Sequence, residues 1–157
     1  MCRLPGAAAG ANDEWAGSIS VDWVEPKAVE FAEKHGADLV TKIDETTRSA
    51  IQDLVEKAVE EGWSPGEFAN QLEEATGFNE DRSMLVARTE VALASNRGES
   101  AAFKEMGFEK VWVYDGDCDI CAPLDGEIWT LEKSEEEPIG HPNCVRAFSP
   151  VPMEDEE

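Results

Sequence analysis

A chain of 157 residues and 17.2 kDa has room for one domain with a real core and not for two large ones. Its 41% hydrophobic and 31% charged residues describe a globular chain rather than a disordered one. With 35 acidic residues against 13 basic ones the net charge is −22, which excludes non-specific nucleic-acid binding through a basic face and disfavours docking on anionic lipid. No apolar run approaches the roughly 20 residues that span a bilayer, so no membrane role is expected.

Residues 1–24 are rich in Gly and Ala, show no period, and hold Cys2, Trp15 and Trp23. The opening lacks the apolar stretch of a secretory signal. It reads as a flexible tail, or as a segment continuing into a longer parent, with Trp23 pinned to the core; synthesis in the cytosol is expected.

A helical bundle is predicted over 25–107. Its first helix starts near Pro26, a good first-turn residue, and ends at Lys34-His35-Gly36. Ile51, Leu54, Val55, Ala58 and Val59 recur on one helical face. Ser64-Pro65-Gly66-Glu67 reads as a capping box opening a third helix, with Phe68, Leu72 and Ala75 buried and Gly77 at its end. Asn79 then caps a long helix over 80–106. Its middle, Met84–Ala87 and Val91–Ala94, is apolar on most sides, which makes it the central helix.

After Gly107 the period changes to two. Val111 and Val113 face one way, Trp112 and Tyr114 the other, so this strand is expected to be covered on both sides. Glu127–Thr130 reads as a second strand and Val145–Phe148 as the last, with a Pro/Gly loop at Pro138–Pro142 between them. Residues 153–157 form an acidic, solvated tail. The predicted class is α+β by segregation: a helical bundle, then a small antiparallel β subdomain over 108–152.

The sharpest chemical signal is Cys118-x-x-Cys121 followed by His141-x-x-Cys144. Three thiolates and an imidazole are a structural Zn²⁺ set that closes a tetrahedral shell and leaves no place for water. Such a site would staple a subdomain too small to bury much core. A reduced or disulfide-linked Cys118–Cys121 pair stays open as the alternative. A thioredoxin-like motif needs a helix opening at CxxC, whereas Pro123 follows here with no helical pattern. A zinc deaminase needs HxE ahead of PCxxC, and both the order and the Glu are wrong.

Arg88 and Glu90 lie two apart in the apolar helix and point roughly 200° from each other. They cannot satisfy one another, so each is read as half of a structural ion pair, with Asp115, Asp117 and Asp119 as candidate partners for Arg88. The acidic surface, Glu135–Glu137 included, is either solvated or a partner surface for a basic protein. No nucleophile elbow, phosphate-binding loop, HExxH or EF-hand loop is present, and no catalytic residue is predicted.

Ala87-Arg88-Thr89-Glu90, then Asn96-Arg97-Gly98, Leu124-Asp125-Gly126 and His141-Pro142-Asn143-Cys144 stand in a fixed order. Together they resemble the C-terminal domain of phage head morphogenesis proteins, the Mu F-like minor head family, over about residues 40–151. The resemblance implies a minor component of a tailed-phage head, acting in procapsid assembly at or near the portal. Its implied partners are the portal and the inner capsid or scaffold proteins, and its implied places are the host cytoplasm and then the virion head. The same domain also occurs attached to toxins. Two alternatives stand beside this reading: a phage-borne metal-dependent hydrolase or toxin domain, and an acidic decoy for a basic host protein. Members often carry a further cysteine where this chain has Arg146, so Cys118 would have to supply the missing thiol.

Overall fold

The computed structural model describes residues 21–37, 40 and 43–152. The expectations for Cys2, Trp15, the side chain of Trp23 and the acidic tail fall outside those residues. The first helix, α1 (Val21–His35), begins a turn before the expected start and contains Pro26. A proline inside a helix forfeits the one backbone bond that its missing N–H would make, and the chain continues helically on its N-terminal side. The helix ends as read, with the Gly36 N–H donating to Ala32 C=O at 2.8 Å.

Three more helices follow, each opened by a side chain that accepts from a free N–H of the first turn. Asp44 accepts from Thr47 to start α2 (Glu45–Glu60), and Asn79 accepts from Arg82 to start α4 (Glu80–Glu105). Between them, Ser64 and Glu67 exchange bonds in a capping box that starts α3 (Pro65–Thr76). Gly77 closes α3 in the left-handed region, φ 69°, where a side chain would be strained. Ile51, Val55, Phe68 and Leu72 are fully buried and, with Ala32, Ala87 and Ala94, make the core of the helical half.

α1 and α4 approach so closely at Gly98 that a Cβ there would stand 2.6–2.8 Å from the Ala28 backbone N, Cα and Cβ. Only glycine allows that crossing. Arg97 beside it lies over the Phe31 ring, 5.0 Å from its centroid.

The β half is a three-stranded antiparallel sheet of order β2-β1-β3, built from β1 (Lys110–Tyr114), β2 (Ile128–Thr130) and β3 (Ala147–Pro150). Val111, Val113, Trp129 and Phe148 turn inward and pack with Phe103, Phe108 and Leu131 in a second core. The α+β arrangement is as read. Three local expectations are corrected. Trp112 and Tyr114 are exposed, so β1 is covered on one face only. The last strand starts two residues later than expected, because Arg146 turns into the interior and the ladder begins after it. A short helix, α5 (Leu131–Glu136), occupies part of the acidic run read as solvated. Thr130 caps it, and Ser134 is buried against Ser100 of α4 at 2.9 Å.

Candidate metal centre

Cys118 and Cys121 sit where β1 gives way to a tight turn, in which the Cys121 and Ala122 N–H groups both donate to Cys118 C=O. A single 3₁₀ turn, Ala122–Leu124, follows. His141 and Cys144 sit on the loop between α5 and β3, closed by a bond from the Cys144 N–H to His141 C=O. The left-handed Asn143, φ 61°, lies inside that turn. In each pair the two donors are therefore on one side of a tight turn.

The two turns face each other. His141 Nε2 is 3.3 Å from Cys118 Sγ and 3.2 Å from Cys121 Sγ, and the Cys121 and Cys144 sulfurs are 3.7 Å apart. A disulfide would need about 2.0 Å, whereas the edge of a Zn–S tetrahedron is about 3.8 Å. The three described cysteines are free thiols. Ligand atoms within 4.8 Å of one another form two triads that share Cys121: Cys118, Cys121 and His141, then Asp115, Cys121 and Cys144.

Further features fit a cation. The Pro142 carbonyl lies 2.8 Å from His141 Nδ1. A carbonyl only accepts, so Nδ1 carries the proton and Nε2 presents its lone pair to the thiols, the usual bearing of a metal-bound histidine. The same contact is the main cause holding the imidazole above its ordinary pKa. Burial pushes the Cys121 thiol up, which disfavours a bare thiolate there. The Gly140 N–H donates to Cys144 Sγ at 3.4 Å.

Around this cluster the loop is pinned to α4 by buried polar contacts. Thr89 Oγ1 accepts from the Asn143 N–H at 2.9 Å and donates to Leu85 C=O at 2.7 Å. About two turns further along, Asn96 Nδ2 donates to Pro138 C=O at 2.7 Å and to Arg146 C=O at 2.9 Å. Both limbs of the loop are thus tied to one helix face.

Asp115 and Arg146 complete the frame. Two guanidinium nitrogens, Nε and Nη2, each lie 2.7 Å from Asp115 Oδ2, with both side chains essentially fully buried. Arg146 also donates to Glu137 C=O at 2.8 Å, and its guanidinium lies 4.9 Å from the Trp129 ring centroid. Asp115 Oδ1 accepts from the Gly116 N–H at 3.0 Å and faces the Cys144 thiol at 3.6 Å. Asp125 accepts from the Asp115 N–H at 3.0 Å. The Leu124-Asp125-Gly126 motif is therefore a clip on the end of β1, closed by the Gly126 N–H on Val113 C=O.

The remaining predicted residues land elsewhere. Arg88 is exposed, not buried in an ion pair, because at its position α4 turns to solvent. Asp115 is taken by Arg146, and Asp117 is exposed. Glu90 is buried, and its Oε2 accepts from the Ala37 N–H at 3.1 Å. It anchors the chain leaving α1, where Ala37 adopts φ 70° and Arg48 donates to its C=O at 2.6 Å. Arg88 and Glu90 thus address different surroundings and do not converge on one centre. Asp115 was expected to hold a cation but pairs with Arg146 instead of Arg88, and Thr89 and Asn96 were missed as site residues. The available signal was polar residues on an apolar helical face, which must find partners when buried.

By sequence, the chain falls in a family of structural phage head proteins. Residues 49–147, more than half of it, match the family model Phage Mu protein F like protein, and the chain belongs to that family. No curated protein and no solved structure matches it. A head protein of this family works among other virion components, during assembly in the host cytoplasm and then in the head. Among the described residues, no helix is long and apolar enough to cross a membrane.

Proposed function

We propose that the chain is a minor head protein acting in head morphogenesis at or near the portal, with a structural zinc on Cys118, Cys121, His141 and Cys144. The observation that carries this reading is what the family motifs do. Thr89, Asn96 and Asn143 spend their polar groups fastening the loop before β3 to α4, and Asp125 clips the loop after β1 to the end of that strand. Residues used in this way build a scaffold for surface contacts. Zinc would supply charge neutralisation for the thiolates and a cross-link between two loops; Cys144 reaches the cluster through Cys121.

Elemental analysis of protein purified without chelator should give about one zinc per chain. Cys121→Ser should lose it and speed amide exchange over 115–146. Metal-free protein of unchanged stability, with all thiols titratable, would overturn the zinc assignment. For the head role, particles made without the chain should be defective in number, content or infectivity, and the folded Glu90→Gln variant should restore them. A Glu90→Gln protein with native stability and native incorporation that fails to restore infectivity would favour an enzyme instead.

A further inference from the structure

The face of the sheet turned away from the core carries three large apolar side chains. Trp112 and Tyr114 are each 36% exposed and Ile128 is 47% exposed. They form one surface by register: Trp112 pairs with Ile128 across the β1–β2 ladder, and Tyr114 lies two residues along the same side of β1. Ile120, 58% exposed, stands in the loop that leaves the Tyr114 end. Among the described residues each keeps a third or more of its surface open to solvent. The opposite face, by contrast, is fully packed with Val111, Val113, Trp129 and Phe148. Trp and Tyr are the residues that interface centres favour.

The charges around this face say what fits it. Asp117 and Asp119 are exposed in the loop beyond Tyr114, and Asp125 is exposed on the approach to Ile128, whereas Glu127 turns its carboxylate to Trp129 Nε1 on the other side of the strand. Lys110 is the one exposed cation among residues 108–130. A second copy would bring the same acids against these and would add to a chain already at −22. Residues 1–20 carry one Arg against Asp13 and Glu14, so they offer no complementary charge either.

We infer that the outer face of the sheet, centred on Trp112, Tyr114 and Ile128, is a docking surface for another protein that presents an apolar patch rimmed by Lys and Arg. This rests on the head-protein reading, in which that partner is a component of the same particle. The aromatic centre supplies the desolvated anchor, and the acidic rim steers the approach and makes it weaken with salt.

The test places photoreactive benzoylphenylalanine at position 112 and, as a control, at the exposed Glu60 at the end of α2, in full-length protein assembled into heads. Illumination of purified heads should give an adduct from position 112 to a different head protein, at a site bearing Lys or Arg, and none from position 60. A Trp112→Ser, Ile128→Ser double variant of unchanged melting temperature should enter heads about tenfold less well. Heads that contain the chain without an adduct at 112 would overturn the docking surface alone. An adduct to a second copy, or to residues 1–20 of the same chain, would overturn it too. Heads that exclude the unmodified chain altogether would overturn the head-protein reading and this surface with it.

Discussion

The helical and β halves are stabilised by different means. In the helical half Ile51, Val55, Phe68 and Leu72 interlock without polar help, and the loss of any one contact is shared among many neighbours. In the β half the inner sheet face has its own apolar cluster, but the loops after β1 and before β3 are fixed by a buried ion pair, two carboxamide bonds and a Cys/His cluster. A small subdomain that cannot bury much area gains definition from a few specific polar contacts. Each is then a point at which a single substitution has a large effect.

Breaking the ion pair should expose that contrast most strongly. Arg146→Ala leaves Asp115 buried without its cation and should cost about 3–5 kcal/mol in denaturant unfolding. If amide exchange rises in β1–β3 and stays unchanged in α2 and α3, the two halves are held separately. Asn96→Ala should cost about 1–3 kcal/mol, because Pro138 C=O and Arg146 C=O both lose their donor. The same substitution should free the metal loop, read as faster zinc release to a chelator.

A pH-dependent test sits on α4 itself. Burial raises Glu99 to about 7, and its Oε2 makes no hydrogen bond among the described residues. Between the ordinary glutamate pKa and about 7, the folded protein holds a proton that the unfolded chain releases. Stability therefore falls as pH rises through that window. Glu99→Gln should remove this fall, gaining about 1–3 kcal/mol at pH 8 and nearly nothing at pH 4. Equal effects at both pH values would place Glu99 in water. The smallest effect belongs to Arg88→Ala. On the exposed side of α4 it should change stability by less than about 0.5 kcal/mol, and a loss near 3 kcal/mol would mean that it is buried against a partner.

Much of this was legible in the sequence, for identifiable reasons. Caps act within four residues, so Ser64–Glu67, Asn79 and Gly77 announce their helices directly. The CxxC and HxxC pairs are local turns, and the fold brings the turns together as their spacing suggests. What the sequence did not reveal is pairwise and long-range. Asp115 chooses Arg146, 31 residues away, over Arg88, and no periodicity encodes that choice. Period two was equally blind to which face of β1 stays open, since Val111/Val113 and Trp112/Tyr114 are both apolar alternations. At α5, six residues with four charges among them carry too little apolar pattern to be told from a solvated run.

The glycine crossing has a consequence for where the folding unit begins. The family match starts at residue 49, yet Gly98 and Ala28 meet through α1, which lies wholly before that point. A polypeptide trimmed to the matched segment would uncover the small-residue seam of α4 and strand the Glu90 carboxylate without the Ala37 amide. Homology boundaries and cooperative boundaries therefore differ in this protein by at least one helix. The shortest autonomously folding piece must reach back to α1, even though sequence comparison treats that helix as flanking.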